Sequence, residues 1–89
     1  MDAELLKKAL DVLVAQGARE VYVFGSAARG DPMPSDVDLA VRGLPPERFF
    51  RAVYLAGAAI DCPVDIVDLD EPSPFTRHLE SEGLLHRVG

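Results

Sequence analysis

The stretch Val21-Tyr-Val-Phe-Gly-Ser-Ala-Ala-Arg-Gly-Asp-Pro-Met-Pro-Ser-Asp-Val-Asp-Leu-Ala-Val41 decides the fold. Its first four residues are β-branched or aromatic and read as a strand, and Gly25 is where the chain can leave that strand tightly. Its last six alternate with period two. Asp36, Asp38 and Ala40 fall on one face of a second strand, and Val37, Leu39 and Val41 fall on the other. The apolar face goes to the core. On the opposite face two carboxylates, roughly 6.5 to 7 Å apart along the strand, repel each other unless something positive lies between them.

Paired hard oxygens of this kind suit Mg²⁺, which keeps several waters and binds through one or two carboxylates plus substrate phosphates. That chemistry couples the acids to the turn before them. Gly25 would let backbone N–H groups approach a triphosphate, Ser26 would offer a hydroxyl to a phosphate oxygen, and Arg29 is near enough to neutralise phosphate charge or to pair with Asp31. Gly30 ends the turn, and the Pro-containing run to Ser35 reads as loop.

A third carboxylate comes from Pro63-Val-Asp-Ile-Val-Asp-Leu69, the other strand-like run. Val64 and Ile66 form its apolar face and leave Asp65 on the open one, while parity turns Asp68 inward near the strand end. Asp65 is the preferred third acid and Asp68 the alternative. If this strand lies beside the Asp36/Asp38 strand, three carboxylates converge on two metal positions. Such a pair of ions can clamp the attacking and leaving oxygens of a phosphoryl displacement.

With these residues in view, the chain resembles the DNA polymerase β-type nucleotidyltransferases. Gly25-Ser26, Arg29-Gly30, Ser35-Asp36-Val37-Asp38-Leu39 and Val64-Asp65-Ile66-Val67 look most like the signature of its smallest members, the minimal nucleotidyltransferase (MNT) domains. The resemblance covers Val21 to Leu69. It implies Asp36, Asp38 and Asp65 as catalytic metal ligands for Mg²⁺, with ATP as substrate held at Gly25 and Ser26, and Asp65 helping to activate the attacking hydroxyl. It also implies a small helical HEPN protein as partner. The pair would act as toxin and antitoxin, with AMP transferred to a tyrosine of the toxin. Two other readings stay open: an antitoxin that blocks its partner by contact alone, and a small-molecule nucleotidyltransferase completed by a second subunit.

Other motifs fail on inspection. Gly25 and Gly30 have the spacing of a phosphate loop, but Asp31 stands where that motif needs Lys. An EF-hand starting at Asp36 breaks at Val41, where glycine is required. His78 and His86 lack a partner at metal spacing and read as surface residues, and Cys62 reads as a small packed side chain.

Eighty-nine residues, 48% hydrophobic and 27% charged, make one globular domain over residues 1–89 with a modest core that a homo-oligomer or partner contact would help. There is no apolar run of membrane-spanning length, no signal-peptide pattern and a single cysteine, so the reading is cytoplasmic. The net charge of −6 disfavours unaided nucleic-acid binding, which needs a basic face.

Around the strands, Glu4 to Gln16 reads as an amphipathic helix ended by Gly17. Pro45-Pro46 starts a second helix to about Ala58, whose Phe49, Phe50, Val53, Tyr54 and Leu55 exceed what a small sheet covers. Ser73 caps a third helix to about Glu82, leaving Leu84-Leu85 as a tail. The expected fold is α/β (α+β): a small mixed sheet of three to four strands, helices mainly on one face, the acidic face open, as in a polymerase β palm-like nucleotidyltransferase.

Overall fold

A computed structural model describes residues 3–25, 37–61 and 64–89. Within them the elements run α1 (Ala3–Ala15), β1 (Glu20–Phe24), β2 (Val37–Arg42), α2 (Pro46–Ile60), β3 (Val64–Asp68), α3 (Pro74–Ser81) and β4 (His86–Arg87). The four strands form one mixed sheet in the order β3-β2-β1-β4. β1 pairs antiparallel with β2, in a register that sets Val21 opposite Val41 and Phe24 opposite Asp38. β2 and β3 are parallel. A parallel neighbour requires a crossover connection rather than a tight hairpin, and α2 supplies it.

The alternation read from β2 sorts the two faces. Val21, Val23, Val37, Leu39, Val41 and Ile66 pack with Ala9 and Leu13 of α1 and with Ala52, Ala56 and Ile60 of α2 in the main core. Alanines at the helix positions let α1 and α2 sit close to the sheet and to each other, so valines and leucines fill the space between. Leu13, Leu39, Val21, Val37 and Val41 are wholly buried, each stabilising by about 1.5 to 3 kcal/mol relative to exposure. α1 ends where Gly17 takes φ 112°, and the Ala18 N–H reaches back to the Leu13 carbonyl at 3.0 Å. Arg48 also reaches across, donating through Nη1 to the Gln16 carbonyl at 3.4 Å.

α2 starts on Pro46 as expected but runs two residues beyond Ala58. It stops at Asp61, which takes the left-handed conformation at φ 51°. The two added residues bring Ile60 into the core in step with Ala52 and Ala56, four residues apart on one face. Burial of Ile60 thus carries the helix past Ala58. The surplus apolar surface expected on this helix is real. Phe50 is 83% and Tyr54 74% exposed, while Phe49 packs against the core.

The second face carries a smaller cluster of Phe24, Ala40, Leu69 and Leu79. α3 therefore covers part of a face expected to be open. Its start is a capping box: Ser73 Oγ accepts from the Thr76 N–H at 3.1 Å, and Thr76 Oγ1 accepts from the Ser73 N–H at 3.1 Å. Beyond α3, the residues read as a leftover tail return to the sheet. β4 sets His86 opposite Val23 and Arg87 opposite Tyr22, and the Val88 N–H donates to the Val21 carbonyl at 2.8 Å. Among the described residues, no helix is long and apolar enough to cross a membrane.

Candidate active site

Parallel pairing of β2 with β3 sets Asp38 directly beside Asp65. Neighbouring strands lie about 4.8 Å apart, so residues in the same register on one face bring their carboxylates within reach of a common cation. Asp38 is half-buried and Asp65 exposed. Asp68 is three residues further along β3, opposite Val41, and its Oδ1 accepts from the Asp70 N–H at 2.9 Å. That bond ties it to the turn after the strand. Asp65, not Asp68, shares the row with Asp38.

Gly25 follows β1 directly at φ 68°, a conformation that L side chains rarely adopt. A Cβ built on it would overlap Asp38 Oδ2. The glycine is thus required twice, for its backbone angle and for the close approach of the Asp38 carboxylate to the main chain. Of the residues singled out by sequence, Gly25, Asp38 and Asp65 are brought to one end of the sheet. Ser26, Arg29 and Asp36 lie outside the described residues. Within the described residues no cluster of three or more His, Cys, Asp or Glu suited to a metal is formed. The donor chemistry of Asp38 and Asp65, hard carboxylate oxygens side by side, fits Mg²⁺.

The opposite end of the same face is neutralised internally. Arg42, four residues from Asp38 and so roughly 13 Å along the strand, bonds Glu80 Oε1 at 2.8 Å and approaches Asp70 Oδ1 at 3.9 Å. The bond to Glu80 raises its guanidinium pKa above the ordinary value, so it stays charged. Tyr22 donates its phenolic hydrogen to Glu20 Oε1, and Arg87 Nη1 lies 4.0 Å from the same carboxylate. The Glu20 hydrogen bond, then burial and the Glu20 charge, hold the Tyr22 pKa above its usual value, against a smaller opposing pull from Arg87.

A cleft of about 440 Å³ opens beside Asp38 and Gly25, with Phe24, Phe75, His78, Leu79, Leu84 and His86 completing its walls. The two histidines and Phe75 were not recognisable as site residues in sequence. They come from α3 and β4, and no motif links them to the turn.

Residues 7–85 match the family described as Polymerase beta, Nucleotidyltransferase. No curated protein matches the chain. Among solved structures, one assigned as a minimal nucleotidyltransferase is 27% identical with a TM-score of 0.72; the match covers all of this chain and 96% of that one. A tri-AMPylated Shewanella oneidensis HEPN toxin in complex with its MNT antitoxin matches at 26% identity and a TM-score of 0.63, over 82% of this chain and 60% of the other. A toxin-antitoxin structure with AMP-PNP has a TM-score of 0.72 over 91% of this chain and 69% of that one; at 24% identity the likeness is one of fold.

Proposed function

The chain belongs to the polymerase β nucleotidyltransferase family, and on that premise we propose that it is a Mg²⁺-dependent enzyme that moves AMP from ATP to a hydroxyl of a partner protein. The observation that carries the proposal is the in-register pair Asp38 and Asp65 beside the glycine turn at Gly25. Asp38 and Asp65, with Asp36, would hold the metal. Bound there, Mg²⁺ supplies charge neutralisation for the triphosphate and the transition state.

The chain's own residues then have distinct tasks. Gly25, lacking a side chain, lets phosphate oxygens approach the backbone, and Ser26 and Arg29 are assigned to the same phosphates. Asp65, exposed on its strand, accepts the proton of the acceptor hydroxyl. The acceptor oxygen attacks the α-phosphorus, a bond forms between them, the bond from the α-phosphorus to the β-phosphate oxygen breaks, and pyrophosphate leaves. Positioning and electrostatics carry such a reaction.

The likeness to an MNT antitoxin bound to an AMPylated HEPN toxin supports a small helical HEPN protein as the partner and antitoxin action as the role. The test is intact mass spectrometry of that partner after incubation with this protein, Mg²⁺ and each nucleoside triphosphate, beside an Asp36→Asn/Asp38→Asn control. A gain of one or more nucleoside monophosphates, absent in the control, is the expected result. A stable complex with no mass gain would overturn transfer and leave an antitoxin acting by contact.

A further inference from the structure

The cleft beside Gly25 and Asp38 has a composition that metal and triphosphate chemistry does not explain. Its walls are mainly apolar and aromatic, with the His78 imidazole as the polar side chain away from Asp38. We propose that it receives the nucleobase of the donor nucleotide, stacked on Phe75, with His78 reading the base edge. This inference rests on the proposed function.

Position argues for the donor rather than the acceptor. In the strand order β3-β2-β1-β4, Asp65 lies on one side of Asp38 and the cleft on the other, towards β1 and β4. Asp65 does not line it. A hydroxyl activated at Asp65 approaches from the β3 side, whereas phosphates held at Gly25 leave their nucleoside on the β1 side. The cleft's 440 Å³ falls within the range of sites for small ligands.

The walls are built to stay in place. Phe75 is half exposed, and its ring meets the buried Phe24 edge-on, with centroids 6.0 Å apart at 65°. Its helix is fixed by the Ser73–Thr76 capping box. On the β4 side the wall is closed at His86, whose backbone pairs with Val23. An aromatic face held this way gives any base a stacking surface. The His78 imidazole offers one donor and one acceptor nitrogen when neutral, the pattern needed to bond a base edge.

The experiment is calorimetric titration of the full chain with the Mg²⁺ complexes of a non-hydrolysable ATP analogue and of tripolyphosphate. Loss of a stacked base weakens binding about 5- to 150-fold. Phe75→Ala is expected to weaken the ATP analogue by that factor and leave tripolyphosphate unchanged. His78→Gln, at an exposed position that should not disturb folding, is expected to change the ranking of adenine, guanine, cytosine and uracil nucleotides with tripolyphosphate again unaffected. If the unmodified protein binds tripolyphosphate as tightly as the ATP analogue, or neither variant alters nucleotide affinity, the base site is overturned while the proposed chemistry stands. If the unmodified protein binds neither compound, the reading of the whole site falls, and the inference with it.

Discussion

Two glycines with almost the same backbone angle make a matched pair of probes. Gly25 has φ 68° and Gly83 φ 65°. Replacing either with alanine forces a left-handed conformation on a residue with a Cβ, at about 1 to 2 kcal/mol. At Gly83 the new methyl meets nothing within 4 Å, so strain is the whole effect. For a domain of this size that lowers Tm by roughly 4 to 16 °C. At Gly25 the same methyl overlaps Asp38 Oδ2, so the carboxylate must leave its position, at a further 0.5 to 1.5 kcal/mol if it is driven off a favoured rotamer. Gly25→Ala should therefore be the less stable of the two by about 1 kcal/mol. The larger difference lies in metal affinity, because the Asp38 carboxylate no longer lies beside that of Asp65. Displacing a group that orients a ligand typically costs 10- to 100-fold. Thermal unfolding of both variants and titration with Mn²⁺ as a metal probe, without nucleotide, separate the two effects. If Gly25→Ala binds Mn²⁺ as Gly83→Ala does, Asp38 is not held for a metal by this contact, and the reasoning fails.

The remaining predictions concern the acids, the capping box and the phenol. Asp65→Asn relieves repulsion with Asp38 and should stabilise the metal-free protein by about 0.2 to 1 kcal/mol, most at low salt. The same change should abolish stabilisation by added Mg²⁺; denaturant melts with and without Mg²⁺ check both signs. Ser73→Ala removes the cap of α3 and should cost about 0.5 to 2 kcal/mol, with hydrogen exchange in residues 74–81 rising more than in α2; equal increases in both helices would count against a local cap effect. The Tyr22 pKa is raised in the folded state, so the Tyr22–Glu20 bond contributes its full stability below the unfolded tyrosine value near 10 and loses it as pH rises through the folded value. The stability gap between the unmodified protein and Tyr22→Phe should stay constant across neutral pH and close only above about pH 10; closure near pH 7 would refute that account.

How much of this was legible in the sequence depends on how locally each feature is encoded. The parity of Val37 to Val41 foretold the sheet's two faces, and the same argument applied to Val64-Asp65-Ile66 led to the row that Asp65 shares with Asp38 once β2 and β3 pair in parallel. Those readings needed only alternation within one strand. α2 runs past the expected end near Ala58 because burial of Ile60 against a distant sheet extends the helix, and a left-handed aspartate then ends it. β4 escaped notice because two residues carry no periodicity, and it exists only because β1 offers an edge. The cleft was illegible for the same reason: Gly25, Phe75 and His86 are far apart in the chain and meet only through the fold.

β3 stands at the margin of the four-stranded sheet, with no strand beyond it among the described residues. A bare margin invites another chain to add itself as a strand, a hazard that charged side chains on the outer strand suppress. Asp65 and Asp68 sit on that strand, one on each face. The acid assigned to chemistry therefore also guards the molecule against stacking with its own copies, and removing its charge would erode both functions together.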